Sequence, residues 1–154
     1  MKKDFTRDYV TEAFRLYAAM GKPTYEEAQK KVYEIELSKR SDVDPSIAVT
    51  QAETAVNNSM PLLLDIMAVQ KTIELLERGN KQHIVSAVKD IYFLYPLQTL
   101  RRGDISDRVH RFAITFPVSE KQVYVWLKEA RLFCAAIRGL RISNEDIKKY
   151  HIEL

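Results

Sequence analysis

Residues 119–128, SEKQVYVWLK, mix side chains that make directional contacts with apolar ones at helical spacing. Val123, Trp126, Leu127 and Ala130 form one stripe, continued by Cys134 and Ile137. Ser119, Lys121, Gln122, Tyr124, Val125 and Lys128 lie off it. On a helix seated in the major groove of duplex DNA, such residues read bases. Lysine bonds guanine, tyrosine and valine meet thymine methyl groups, and glutamine bonds adenine. Gln122 also stands three residues after Ser119, where it would complete a capping box, and that role competes with base reading. Glu120 either accepts from a cytosine amine or favours the positive end of the helix dipole. Arg101, Arg102, Arg108, Arg111 and Arg131 are candidate phosphate contacts, with Arg138 and Arg141 further off. Such contacts position a protein on DNA without specifying sequence. Each arginine taken singly is equally well a solvated surface side chain.

Other chemistry is poorly represented. His83, His110 and His151 have no neighbouring ligand pattern, so no metal is expected. There is no Cys-x-x-Cys, no Gly-rich phosphate loop and no dinucleotide fingerprint, so neither a cofactor nor an enzymatic activity is expected. The carboxylates lie among lysines, as solvated ion pairs do. Cys134 falls on the inner stripe and reads as core rather than nucleophile. The aromatic run Tyr92-Phe93-Leu94-Tyr95 could stack on single-stranded bases, but docking against the 109–130 region is the expectation.

The elements that must position these residues read as helices. The chain has 154 residues, 46% hydrophobic and 29% charged, with 4 glycines and 5 prolines, a balance that favours an all-α fold. A first helix is expected from Asp4 to about Met20, stopped by Gly21-Lys22-Pro23. Thr24 and Glu27 make a capping box for a second, with Tyr25, Ala28, Val32 and Ile35 as its stripe. Asp44-Pro45 opens a long helical pattern reaching Glu77, with a kink or break around 57–61 at Pro61. Leu62, Ile66, Val69, Ile73 and Leu76 then form a stripe that serves either the chain's own core or a seam between two subunits through 45–77. Ile84, Val88, Ile91 and Tyr95 mark another helix. Residues 96–105, PLQTLRRGDI, form a candidate hinge between a helical oligomerisation or partner region (1–95) and a second region (106–142). A short tail helix capped by Ser143 follows in 143–154.

Charge is uneven. Residues 1–80 carry 11 basic and 13 acidic side chains, whereas residues 81–142 carry 11 basic and 5 acidic. A basic second half suits a polyanion, and random charge drift explains it equally well. The start, MKKDFTRDYVTEAF, lacks the apolar run of a signal peptide, and no spanning segment is visible. With one cysteine, the expectation is a cytoplasmic chain.

Residues 109–130, VHRFAITFPVSEKQVYVWLKEA, meet the demands of a helix-turn-helix. Ala113 permits close crossing, Phe116-Pro117-Val118 turns the chain, Val118 plugs the gap, and Ser119 caps the second helix. The spacing resembles the helix-turn-helix of sigma-factor region four and related phage regulators. Pro117 departs from the glycine common at that turn. The whole chain looks like a class of small prophage proteins of Gram-positive bacteria, and its C-terminal part is similar to ArpU- and RinA-type late-gene regulators. That resemblance implies sequence-specific binding of double-stranded DNA near a phage promoter. Two alternatives stay open: a DNA-packaging adaptor like a small terminase subunit, and a protein-binding module acting on RNA polymerase or a host regulator.

Overall fold

A computed structural model describes residues 4–152. Among them are eight helices and no strand: α1 (Phe5–Ala19), α2 (Tyr25–Ser38), α3 (Pro45–Asn58), α4 (Met60–Arg78), α5 (Gln82–Ile91), α6 (Asp104–Thr115), α7 (Glu120–Arg138) and α8 (Asn144–Lys149). The all-α expectation holds. Five starts are side-chain caps that satisfy an otherwise orphaned backbone N–H. Asp4 accepts from Arg7, Thr24 from Glu27, Asp44 from Ser46, Ser119 from Gln122 and Ser143 from Asp146.

The interruption expected near Pro61 is a full break at Ser59. It leaves Pro61 in the first turn of α4, where a missing N–H costs nothing. The α4 stripe is buried within the chain: Ile66, Val69 and Leu76 are in the core, and Leu62 and Ile73 pack against it. It is therefore not available as a seam between subunits. The next helix stops at Ile91 rather than Tyr95; Tyr95 takes a left-handed φ of 46° and is exposed.

One buried apolar cluster runs from Val10 in α1 to Ala135 in α7 and takes in residues of α4, α5 and α6. Helix α7 packs on α1, α4, α5 and α6, while α2 and α3 form a hairpin seated on α4. The regions on either side of 96–105 thus share a core, and the linker expected to be a hinge joins two helices of one packed body. Arg15 holds its start, and Arg108 holds the end of α5 before it. Arg15 of α1 is 3% exposed and its Nη2 donates to the carbonyls of Tyr95, Pro96 and Gln98. Arg108 of α6 is 6% exposed and its Nη1 donates to the Ile91 carbonyl at 2.7 Å. Arg108 thus answers an orphaned carbonyl and the negative dipole end of α5, while Arg15 satisfies loop carbonyls beyond it. Burial and the nearby Arg15 charge push the Arg108 guanidinium below its ordinary pKa.

Of the 92–95 aromatics, Tyr92 and Phe93 dock on α1 rather than on the 109–130 region. Tyr92 stacks on Phe14 at 5.5 Å between centroids, and Phe93 meets Phe14 and Tyr17 at 6.3 and 5.6 Å. A second long-range tie joins α1, α4 and α7: Arg138 Nε donates to Asp65 Oδ1 at 2.6 Å, and the Tyr9 hydroxyl donates to the same carboxylate at 2.7 Å.

Replacing Arg15 with methionine keeps the buried stem and removes the donors that fix the 95–98 loop. Urea unfolding of Arg15→Met should show a loss of about 2–3 kcal/mol, since hydrogen bonds from charged groups are among the stronger ones. Leu97→Ala, at an exposed position of the same loop, should stay within about 0.5 kcal/mol. Equal midpoints for the two variants would show that Arg15 does not hold the loop.

Candidate nucleic-acid interface

Helices α5, α6 and α7 each pack on the other two. The α6–α7 connection is short. The Phe116 N–H returns to the Phe112 carbonyl at 2.8 Å, and the Val118 N–H reaches the Ala113 carbonyl at 3.1 Å. No residue from Phe116 to Ser119 takes a positive φ. Glycine's conformational freedom is therefore not needed, and proline, whose φ is fixed near −65°, is compatible with this turn. Ala113 is buried and Val118 packs against the core. An aromatic cluster closes the hairpin: Phe112 and Phe116 stack at 5.2 Å, and Trp126 meets Phe116 edge-on at 5.6 Å and His83 of α5 at 4.7 Å.

Val123, Leu127 and Ala130 are buried, as the stripe implies. The opposite face divides in two. Ser119, Lys121, Gln122 and Tyr124, in the first turns of α7, are exposed. The Ser119 hydroxyl accepts from the Gln122 N–H at 3.1 Å. Glu120 lies 3.4 Å from Nδ1 of His110, bridging the hairpin at its surface. One turn further on, the tail covers the helix. Val125 packs against a small cluster of Leu132, Tyr150 and Ile152, and Lys128 Nζ lies 3.4 Å from Asp146 of α8.

The arginines separate. Arg108 is buried on the Ile91 carbonyl, so it is not a phosphate contact; its place on the inner side of an amphipathic α6 decides this. Val125 likewise leaves the groove-facing set, because the tail packs on it. Arg131 donates to the Tyr92 hydroxyl at 2.7 Å and is half-buried. Arg101 and Arg102 are exposed on the loop before α6, where the Arg101 backbone N–H donates to Asp104. Arg111 is exposed and borders a hollow with Asp90 and Leu94. Spacing alone had no access to Arg15, an arginine on the inner side of α1, nor to the tail's position across α7.

No protein-family model matches the chain, and neither a curated protein nor a solved structure is detectably similar to it. Among the described residues, no three His, Cys, Asp or Glu side chains are grouped to hold a metal ion, and no helix is long and apolar enough to cross a membrane.

Cys134 is buried between α7 and α4, and burial pushes its thiol up to about 12. The folded thiol stays protonated and unreactive through pH 9, where an unfolded cysteine would already ionise. Unfolded chains alone lose that proton between 9 and 12, so this group lowers stability as pH rises through that window. Iodoacetamide at pH 8.5 should therefore label the native chain far more slowly than the urea-unfolded one. Equal rates would place Cys134 in contact with solvent.

Proposed function

We propose that the chain is a sequence-specific double-stranded DNA-binding protein that reads the major groove with the first turns of α7. The observation that carries this reading is the α6–α7 hairpin, whose second helix is capped at Ser119 and leaves Lys121, Gln122 and Tyr124 uncovered while Val123 and Leu127 are buried. Short capped hairpins of this kind present a helix N-terminus to base edges. Arg101 and Arg102, exposed before α6, supply charges for the phosphate backbone. The resemblance of the C-terminal part to phage late-gene regulators makes transcriptional regulation the role we favour, in a cytoplasmic setting.

A second reading, that a protein partner docks on the α2–α3 hairpin, has its own observation. Glu53 is the only charged residue of α3, and Ile47 and Val49 on that helix are exposed. Solvated helices ordinarily carry more charge on the outer face.

Gel shifts across the gene's own genomic neighbourhood, repeated at several salt concentrations, test the DNA reading. Affinity should fall steeply with salt, with a log–log slope of about 0.9 per phosphate neutralised. Lys121→Ala should cost roughly tenfold on the preferred site and less on random DNA, as loss of a base contact does. The Arg101→Ala, Arg102→Ala double variant should weaken both equally and flatten the slope. Salt-insensitive binding, or a Lys121→Ala variant that keeps full discrimination, would rule out this use of α7. Capture of a polymerase without any DNA shift would favour the α2–α3 reading.

A further inference from the structure

Two adjoining hollows lie along α7 and share Arg7 and Arg131. The smaller, about 200 Å³, draws on three stretches far apart in sequence: the start of α1, the middle of α7 and the chain entering α8. Its charged lining is Arg7, Lys128, Arg131 and Arg141 against Asp4 and Asp146. The carboxylates are already engaged: Asp4 caps α1, and Asp146 pairs with Lys128. Arg131 is different. It is fixed in place by a neutral partner, the Tyr92 hydroxyl, and forms no direct ion pair among the described residues, so its remaining N–H groups can serve another acceptor. Arg141, exposed and lining the same hollow, adds a second cation. A rigid guanidinium beside further cations suits the tetrahedral oxygens of a phosphoryl group.

The larger hollow, about 460 Å³, falls within the usual range of small-molecule sites. Leu100, Ile105 and the exposed ring of Tyr124 give it an apolar wall, backed by the buried Tyr92 and Leu127. Asp8 and Glu12 of α1 stand at its edge, where they can accept from hydroxyl or amine groups and would repel further phosphates. We infer that the two neighbouring hollows together bind a nucleoside monophosphate, with the phosphoryl group at Arg131 and Arg141 and the base against Tyr124 and its apolar neighbours. The site shares Tyr124 with the first turns of α7, otherwise uses the helix beyond them, and does not rest on the DNA reading.

Calorimetric titration of the full chain at low salt with each common nucleoside monophosphate, the matching nucleosides and inorganic phosphate tests the assignment. At least one monophosphate should bind, and both its nucleoside and inorganic phosphate should bind roughly tenfold more weakly. Arg141→Gln, at an exposed position, and Arg131→Gln should each weaken it by roughly tenfold. Asp146→Asn should tighten it, because it removes a negative charge and releases Lys128; a merely structural role for Asp146 would not produce a gain. Lys121→Ala, outside the cleft, should leave it unchanged, which separates failure here from failure of DNA binding. No heat with any monophosphate at ~1 mM, inorganic phosphate binding as tightly as the best monophosphate, or Arg141→Gln binding like the unaltered chain would each overturn the assignment.

Discussion

The fold depends on burying one side of α7 along its whole length. Nineteen residues of helix run past α6, α5, α1 and α4 in turn, and the inner stripe keeps facing inward for five turns. That is possible because the stripe becomes smaller toward the C-terminus: Val123 and Leu127 give way to Ala130, Cys134 and Ala135, all buried. Small side chains let α7 approach α4 closely, since interaxial distance follows the residues at the contact. Where the apolar stripe ends, Arg138 continues the attachment by donating to the Asp65 carboxylate, which also accepts from the Tyr9 hydroxyl. Asp65 and Arg138 are both largely covered, so this pair is less screened than the exposed ion pairs along α2 and α4.

A second constraint follows from the first. With α7 crossing the whole body, α5 and α6 must pack on it from one side, and the chain between them has to turn without a helix. The end of α5 then presents carbonyls toward the interior. Carboxylates could not satisfy them, because carbonyls need donors. Arginine can, with several N–H groups on one planar head and a long apolar stem that tolerates burial. Arg108 does so at Ile91, and Arg15 does the same for the loop carbonyls of Tyr95, Pro96 and Gln98, so two of the chain's basic groups are buried structural cations.

Local signals in the sequence were reliable where they acted through adjacent backbone. The caps at Thr24, Asp44, Ser119 and Ser143 each do what their residue types imply, and Pro61 marks the α3–α4 break. Periodicity also located the inner faces of α4 and α7. Signals failed where the outcome depended on a distant partner. Gly, Pro and paired arginines in 96–105 look like a hinge until Arg15, eighty residues back, is found holding its start. Arg108 looks like a surface cation until the end of α5 is placed against it. Val125 looks like a groove contact until the tail lies across it. Pro117 errs the other way: it weakens the motif on paper, but a turn with no positive φ has no use for glycine.

These corrections change what the outer face of α7 can do. Had it been bare from Ser119 to Arg131, one long surface would present bases and phosphates with contacts along nearly four turns. Only the N-terminal turns are uncovered, and this is also the part of a recognition helix that reaches base edges in a groove. Beyond them, Val125 and Lys128 are engaged by the tail, and Arg131 is fixed by Tyr92 inside a cleft. Tyr124 stands at the boundary, exposed at the end of the first set and lining the second. A ring placed there would meet whatever occupied either surface. The side chain that most directly couples the two is thus one that sequence periodicity assigned simply to the outside of a helix.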